Sequence, residues 1–85
     1  MDPNVYALEL TGDIGWAVKQ LQNGERVARR GWNGKGMYLL LVRHYTVNFT
    51  AIDLLPWVGM KTADEKFVPW LASQTDILAT DWEVV

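Results

Sequence analysis

Two short stretches carry most of the chemistry-bearing side chains of this chain. The first is Gly31-Trp32-Asn33-Gly34-Lys35-Gly36-Met37. Its glycines permit positive φ and close approach of a ligand, while Trp32, Asn33 and Lys35 supply a flat apolar face, an amide and a cation, a set that suits a nucleotide. The same residues also read as a hairpin, because Asn33-Gly34 is a preferred pair for a two-residue turn between strands at Arg26 to Arg30 and Met37 to Val42, with Trp32 as a core anchor. The second stretch, Trp70 with Ser73, Gln74 and Asp76, again sets an indole beside hydrogen-bonding groups. It precedes a helix start, where unpaired N–H groups attract anions. Ser73 and Asp76 have a structural reading too, as a capping box over those amides.

Other chemistry fits the sequence poorly. A P-loop needs four residues between its glycines and a Ser or Thr after Gly-Lys, whereas Gly36 follows Lys35. His44 is the only histidine and there is no cysteine, so neither a structural metal site nor a nucleophile–base pair is expected. The acids Asp53, Asp64, Glu65, Asp76, Asp81 and Glu83 are scattered, with no spacing that fixes two of them at a catalytic distance. The inventory is one for binding bases and not for cutting bonds, so no catalytic residue, metal ligand or cofactor is assigned and no enzyme is expected.

Charge narrows the class of partner. A formal net charge of -2 argues against a nucleic-acid polymer, whose binding relies on many cations releasing counterions. The cations are nevertheless unevenly placed, with Arg26, Arg29, Arg30, Lys35 and Arg43 following one another without an intervening acid. Such a run reads either as a patch for a small anion or as a solvated strand face. No apolar run is long enough to span a bilayer, and Met1-Asp2-Pro3-Asn4 lacks the cationic start of a secretory signal, so the expectation is a soluble intracellular protein without a membrane partner.

The elements that must position these residues follow from periodicity. The 85 residues read as one domain, residues 1–85, with residues 1–12 as an arm in which Val5, Ala7, Leu8 and Leu10 pair loosely with a sheet edge. Asp13 caps a helix whose Ile14, Ala17, Val18 and Leu21 form one buried stripe, and Gly24 ends it. Trp16 falls on roughly the opposite side and needs another partner, for which a neighbouring subunit is preferred over the arm or a ligand. Met37 to Val42 is a continuous apolar run of the kind covered on both faces. One helix covers only one face, and a domain this small is marginal in core, so a homo-oligomer is inferred. His44 to Leu55, with Val47, Phe49 and Ala51 alternating, reads as a half-buried strand or extended loop. Trp57 to Lys61 and Phe67 to Trp70 form a hairpin through the turn Thr62 to Lys66, with Pro69 at an edge or strand end. A short helix runs from Ser73 through Ala79, and Trp82, Glu83 and Val84 close the chain as a strand. The expected fold is therefore α+β: an N-terminal helix packed on a small antiparallel β-sheet, a short second helix near the C-terminus, and homo-oligomeric assembly.

The run Ile14-Gly15-Trp16-Ala17-Val18, then Leu21 and Gly24, then Val27 to Met37, and finally Met60 to Asp64 with Val68-Pro69-Trp70 through Trp82 resembles the second type of Thoeris anti-defence protein, a family of small phage proteins. The resemblance covers most of the chain from Ile14 to Val85. It implies a homotetrameric sponge, acting in the cytoplasm of the infected host, that captures the cyclic ADP-ribose-like signal of a TIR-domain enzyme without degrading it. Some relatives hold CBASS cyclic dinucleotides instead. Ligand is implied to lie in recesses between protomers, gripped by aromatic stacking at Trp32 and Trp70; Arg29 and Lys35 are the candidates for the diphosphate, Ser73, Gln74 and Asp76 for hydroxyls or base edges, and Asn33 is a further candidate ligand residue. An enzyme that degrades the signal and a direct protein inhibitor of the host effector are the rival classes. The sequence departs from the family pattern at Ile14, commonly phenylalanine, at Trp16, commonly polar, and at Glu65, commonly glycine.

Overall fold

A computed structural model describes residues 11–32, 35–43, 46–47, 50–51 and 55–85. Chain order is β1 (Thr11–Gly12), α1 (Ile14–Gln22), β2 (Val27–Arg29), β3 (Tyr38–Val42), β4 (Thr46–Val47), β5 (Thr50–Ala51), β6 (Trp57–Lys61), β7 (Phe67–Pro69), α2 (Gln74–Ile77) and β8 (Trp82–Val84). Strands β4 and β5 pair only with each other, so the stretch from His44 to Leu55 includes a small separate hairpin. The expectations placed on residues 1–10, on His44 and on Phe49 lie outside the described residues.

The remaining strands build one antiparallel sheet in the order β1-β8-β2-β3-β6-β7. This corrects the expected fold class. The sheet is not small but six-stranded and dominates the molecule, with α1 as a single nine-residue helix against one face and α2 as barely one turn. Assembly between copies is a separate expectation, which a single chain neither supports nor opposes. The cause lies at the ends of the sequence: β8 inserts between β1 and β2, with Gly12 opposite Trp82 and Arg29 also opposite Trp82. Local periodicity carries no trace of so distant a pairing.

Register sorts the side chains onto two faces, since directly opposed residues point the same way. On the inner face stand Trp82, Val27, Leu39, Leu41, Met60 and Val58. Ala17 and Leu21 of α1 close over them, and Ala79 completes the buried cluster. Helix α1 begins as its residues dictate: the Asp13 carboxylate accepts from the Trp16 N–H at 2.9 Å, and Gly24 takes φ 87 just after the helix. Val18, expected in the buried stripe, is exposed.

The outer face is covered differently from the sequence-based expectation. Within β3 only Leu39 is fully buried. Tyr38 lies between two cations, with Arg26 4.7 Å and Lys61 5.7 Å from its ring centre. The Phe67 ring lies across Gly59, which has no side chain to oppose it, and tilts against Trp57 at 6.0 Å. Trp16 is also satisfied within the chain. It packs over Gly12 of β1 and against the core, so the subunit contact preferred for it is not required.

Two turns depart from or add to the sequence reading. Val27 stands opposite Leu39, whereas a two-residue turn at Asn33-Gly34 would set it opposite Leu40. A one-residue slip would turn Leu40 inward in place of Leu39; the antiparallel pairing of β2 with β3 expected of a hairpin forms, and the expected turn residues Asn33-Gly34 lie outside the described residues. The β6–β7 turn forms where expected: the Thr62 N–H donates to the Lys66 carbonyl at 2.8 Å and the Lys66 N–H to Thr62 Oγ1 at 3.0 Å. Within it Glu65 adopts φ 67, a left-handed conformation that costs a non-glycine residue about 1 kcal/mol. Its carboxylate, 2.9 Å from Lys61 Nζ, is mostly exposed and returns little of that cost.

Two substitutions check this packing by thermal or denaturant unfolding. Gly12→Ala drives a methyl into the base of the Trp16 side chain and is expected to lose about 1 to 3 kcal/mol; unchanged stability would contradict the placement of Trp16. Glu65→Gly relieves the left-handed strain and is expected to gain up to about 1 kcal/mol, and a loss would show that the ion pair outweighs the backbone term.

Candidate functional site

The two stretches singled out for chemistry converge at the end of the sheet where β2 meets β8 and α2. Strand β2 ends in a turn closed by the Trp32 N–H donating to the Arg29 carbonyl at 3.3 Å. That turn sets Trp32 edge-on to the fully buried Trp82, ring centres 5.4 Å apart at 81°. Trp70, leaving β7, meets the same Trp82 at 5.8 Å and 86°. Perpendicular pairing of this kind satisfies the ring quadrupoles and fixes the indoles. Both Trp32 and Trp70 remain half-buried, and among the described residues neither lies in a face-to-face stack.

The polar residues are drawn together by one guanidinium. Arg29 donates from Nε to Asp81 Oδ1 and from Nη1 to Asp76 Oδ1, both at 2.9 Å. Asp76 Oδ1 also accepts the Trp32 indole N–H at 3.3 Å, and the Trp82 indole donates to the Asp76 carbonyl at 3.0 Å. Asp81 Oδ2 accepts the Gly31 N–H at 2.9 Å. The Ser73 hydroxyl accepts from the Asp76 N–H while the Asp76 carboxylate accepts from the Ser73 N–H, so the capping box forms as its spacing predicts.

The structure thus joins Arg29, Trp32, Trp70, Ser73 and Asp76, and leaves Gln74 exposed on the same short helix and Lys35 exposed on the loop after Trp32. Asn33 lies outside the described residues. Asp81 and Trp82 were not among the predicted site residues. The signal that points to Asp81 is Arg29 itself: an arginine on the core-facing side of a strand demands acids, and Asp81 immediately precedes β8, which pairs with β2. The run of cations does not form one patch. Arg30 pairs with Glu83 at 2.8 Å, Arg43 donates to the Gln22 carbonyl at 2.8 Å, and Arg26 lies over Tyr38. No group of three or more His, Asp or Glu side chains able to hold a metal occurs among the described residues.

A cavity of about 450 Å³ opens elsewhere, between α1 and the ends of β3 and β6. Val18, Leu21, Leu41, Pro56 and Val58 wall it, with Gln22 and Arg43 at its polar side. It shares no residue with the tryptophan cluster.

Paired charge shifts both acids. The Arg29 guanidinium holds Asp81 below the usual carboxylate range against partial burial, helped by the Gly31 N–H. Burial raises Asp76, but hydrogen bonds from Arg29, Trp32 and Ser73 together outweigh it and the net displacement is downward. Arg29 is raised, first by Asp81 and then by Asp76. A carboxyl whose folded value lies below its unfolded value of about 3.9 contributes stability that is complete above that pH and lost as pH falls through the folded value. Unfolding free energy is therefore expected to drop on acidification below about pH 4, and less steeply in Asp81→Asn; an equally steep drop in that variant would contradict the pairing. Arg29→Ala strands two carboxylates beside one another and is expected to cost on the order of 3 kcal/mol at pH 7, measured by urea unfolding. A loss below about 0.5 kcal/mol, the scale of an ordinary surface substitution, would contradict its central place.

Comparison with known proteins bears on what this cluster serves. Residues 12–85 match the family model described as the Thoeris anti-defense 2-like domain. A curated relative named Thoeris anti-defense 2, from Bacillus phage SP01, is 40% identical over 82 aligned positions, covering 85% of this chain and 92% of the relative. The match includes every described element from Gly12 of β1 through β8, and the chain belongs to the Thoeris anti-defense 2-like family.

Proposed function

We propose that this chain is a phage anti-defence protein that captures a signalling nucleotide of the cyclic ADP-ribose type and holds it away from its effector without cleaving it. The observation that carries this reading is the pair Trp32 and Trp70, each braced against Trp82 yet half-exposed. Two such indoles, with Lys35, Ser73 and Gln74 exposed close by in sequence, offer flat faces for bases, a cation for a diphosphate and hydrogen-bonding groups for sugar hydroxyls. Membership of the family supports the anti-defence role. No helix among the described residues is long and apolar enough to cross a membrane.

A captor works by stoichiometry and must compete with the effector. Nanomolar affinity corresponds to about -12 kcal/mol, of which stacking supplies roughly 1 to 3 kcal/mol per base. The remainder falls to charge-assisted bonds and to the low ordering cost of a ligand that is already a ring. Self-association belongs to the same proposal: Leu71 and Leu78 are 92% and 78% exposed close to Trp70 and α2, apolar surface that a second copy would cover. A homotetramer with recesses between protomers would place the two indole clusters near a subunit seam.

The cavity beside α1 offers a second reading, since its volume lies within the roughly 300 to 1,000 Å³ of small-molecule sites. Its lining favours an apolar group over a diphosphate, because Val18, Leu21, Leu41, Pro56 and Val58 make up most of it and its cation, Arg43, also donates to the Gln22 carbonyl. Calorimetry separates the readings. Trp32→Ala and Trp70→Ala are each expected to weaken cyclic ADP-ribose binding by about 5- to 150-fold, while Val58→Trp, which fills the cavity, leaves it unchanged. Loss confined to Val58→Trp would move the site, and a preference for a cyclic dinucleotide would change the ligand. Inhibition retained by the double tryptophan variant would mark a direct protein inhibitor instead.

A further inference from the structure

The hydrogen bonds around Arg29 form a closed circuit. Starting at the Gly31 N–H, it runs through both oxygens of Asp81, across Arg29 Nε and Nη1, through Asp76 Oδ1, and ends on the Trp32 indole N–H. Its two ends are consecutive residues. The circuit therefore fixes both the backbone entering the glycine-rich loop and the ring that the loop presents.

We propose that Arg29 and Asp81 are positioning residues for Trp32, holding the indole ready for its ligand, and that neither grips the ligand. This rests on the reading of Trp32 as a stacking face. Three observations support it. Both donor directions of the Arg29 fork toward this cluster are taken by carboxylates at 2.9 Å. One guanidinium against two carboxylates leaves the cluster with a net negative charge, which repels a diphosphate. The side chains are largely enclosed, with Arg29, Asp76 and Asp81 only 16%, 14% and 31% exposed, and among the described residues no buried side-chain polar atom lacks a partner. A largely enclosed network in which Arg29 Nε and Nη1 and both carboxylates are paired rigidifies what it touches, and an aromatic face held in place before binding loses less entropy on capture. The cation that meets the diphosphate is then Lys35, exposed four residues after Gly31.

The test reads the ring and the ligand separately, on the full chain. In a ¹H–¹⁵N correlation spectrum the Trp32 indole signal is identified by its loss in Trp32→Phe. In Asp81→Asn, and in Arg29→Lys, which keeps the charge but cannot fork, that signal is expected to shift and to exchange faster with water. The Trp82 indole N–H, bonded to the Asp76 backbone carbonyl, stays protected from exchange with water and reports that the core is intact. Affinity for cyclic ADP-ribose falls about tenfold in both variants, the scale of one charge-assisted hydrogen bond. Lys35→Ala weakens binding without moving the Trp32 signal. An unmoved Trp32 signal in the two folded variants overturns the proposal, as does full affinity despite a moved signal. Failure of the unmodified protein to bind cyclic ADP-ribose or a cyclic dinucleotide overturns the nucleotide reading instead, and the Trp32 signal then still decides whether the circuit holds the ring.

Discussion

One guanidinium holds the functional end of this molecule together. Arg29 ends β2 on the face that carries the core, where a bare cation is costly, and Asp76 and Asp81 reach it from a segment about fifty residues later. Satisfying that charge fastens the short helix α2 to the sheet and places Trp82 beneath it. Trp82 in turn gives Trp32 and Trp70 a common wall. A helix of a single turn has little stability of its own. Here it is held at both ends, by the Ser73 capping box and by the Trp82 indole on the Asp76 carbonyl.

The same logic explains how so few fully buried residues suffice. Glycines stand where aromatic rings need room: Gly12 beneath Trp16 and Gly59 beneath Phe67. Trp16, partly buried on bare backbone, removes apolar area from water with little side-chain entropy lost, and Phe67, still 46% exposed, shields the Gly59 backbone. Tyr38 between Arg26 and Lys61 protects the outer face without a second layer. The apolar surface that remains at Leu71 and Leu78 sits beside the tryptophan cluster, away from this outer-face packing.

What could be read from the residues was what depends on near neighbours. Asp13 and Gly24 bound α1, Thr62 to Lys66 closes a hairpin, and Ser73 with Asp76 caps α2, because each signal and its partner lie within a few residues. Other features hang on distant pairings. The insertion of β8 between β1 and β2 turned an expected small sheet into a six-stranded one. Val27 stands opposite Leu39 in a register set by the whole sheet. For the site, the aromatic and polar residues were visible as types, but their roles were not. The pairing of Arg29 was not legible because its acids lie 47 and 52 residues away. The bonds that Asp76 accepts were hidden likewise, since the indole and guanidinium that donate to it lie 44 and 47 residues away.

The central claim is capture without chemistry at two braced, half-exposed indoles. It is tested most directly by the mass of the small molecule released when the protein is mixed with cyclic ADP-ribose, freed of excess ligand and denatured by heat. The account predicts recovery of the intact cyclic molecule in a fixed ratio to protein, and its absence when Trp32 and Trp70 are both alanine. Recovery of a linear product, or of equal amounts from the double variant, would contradict it.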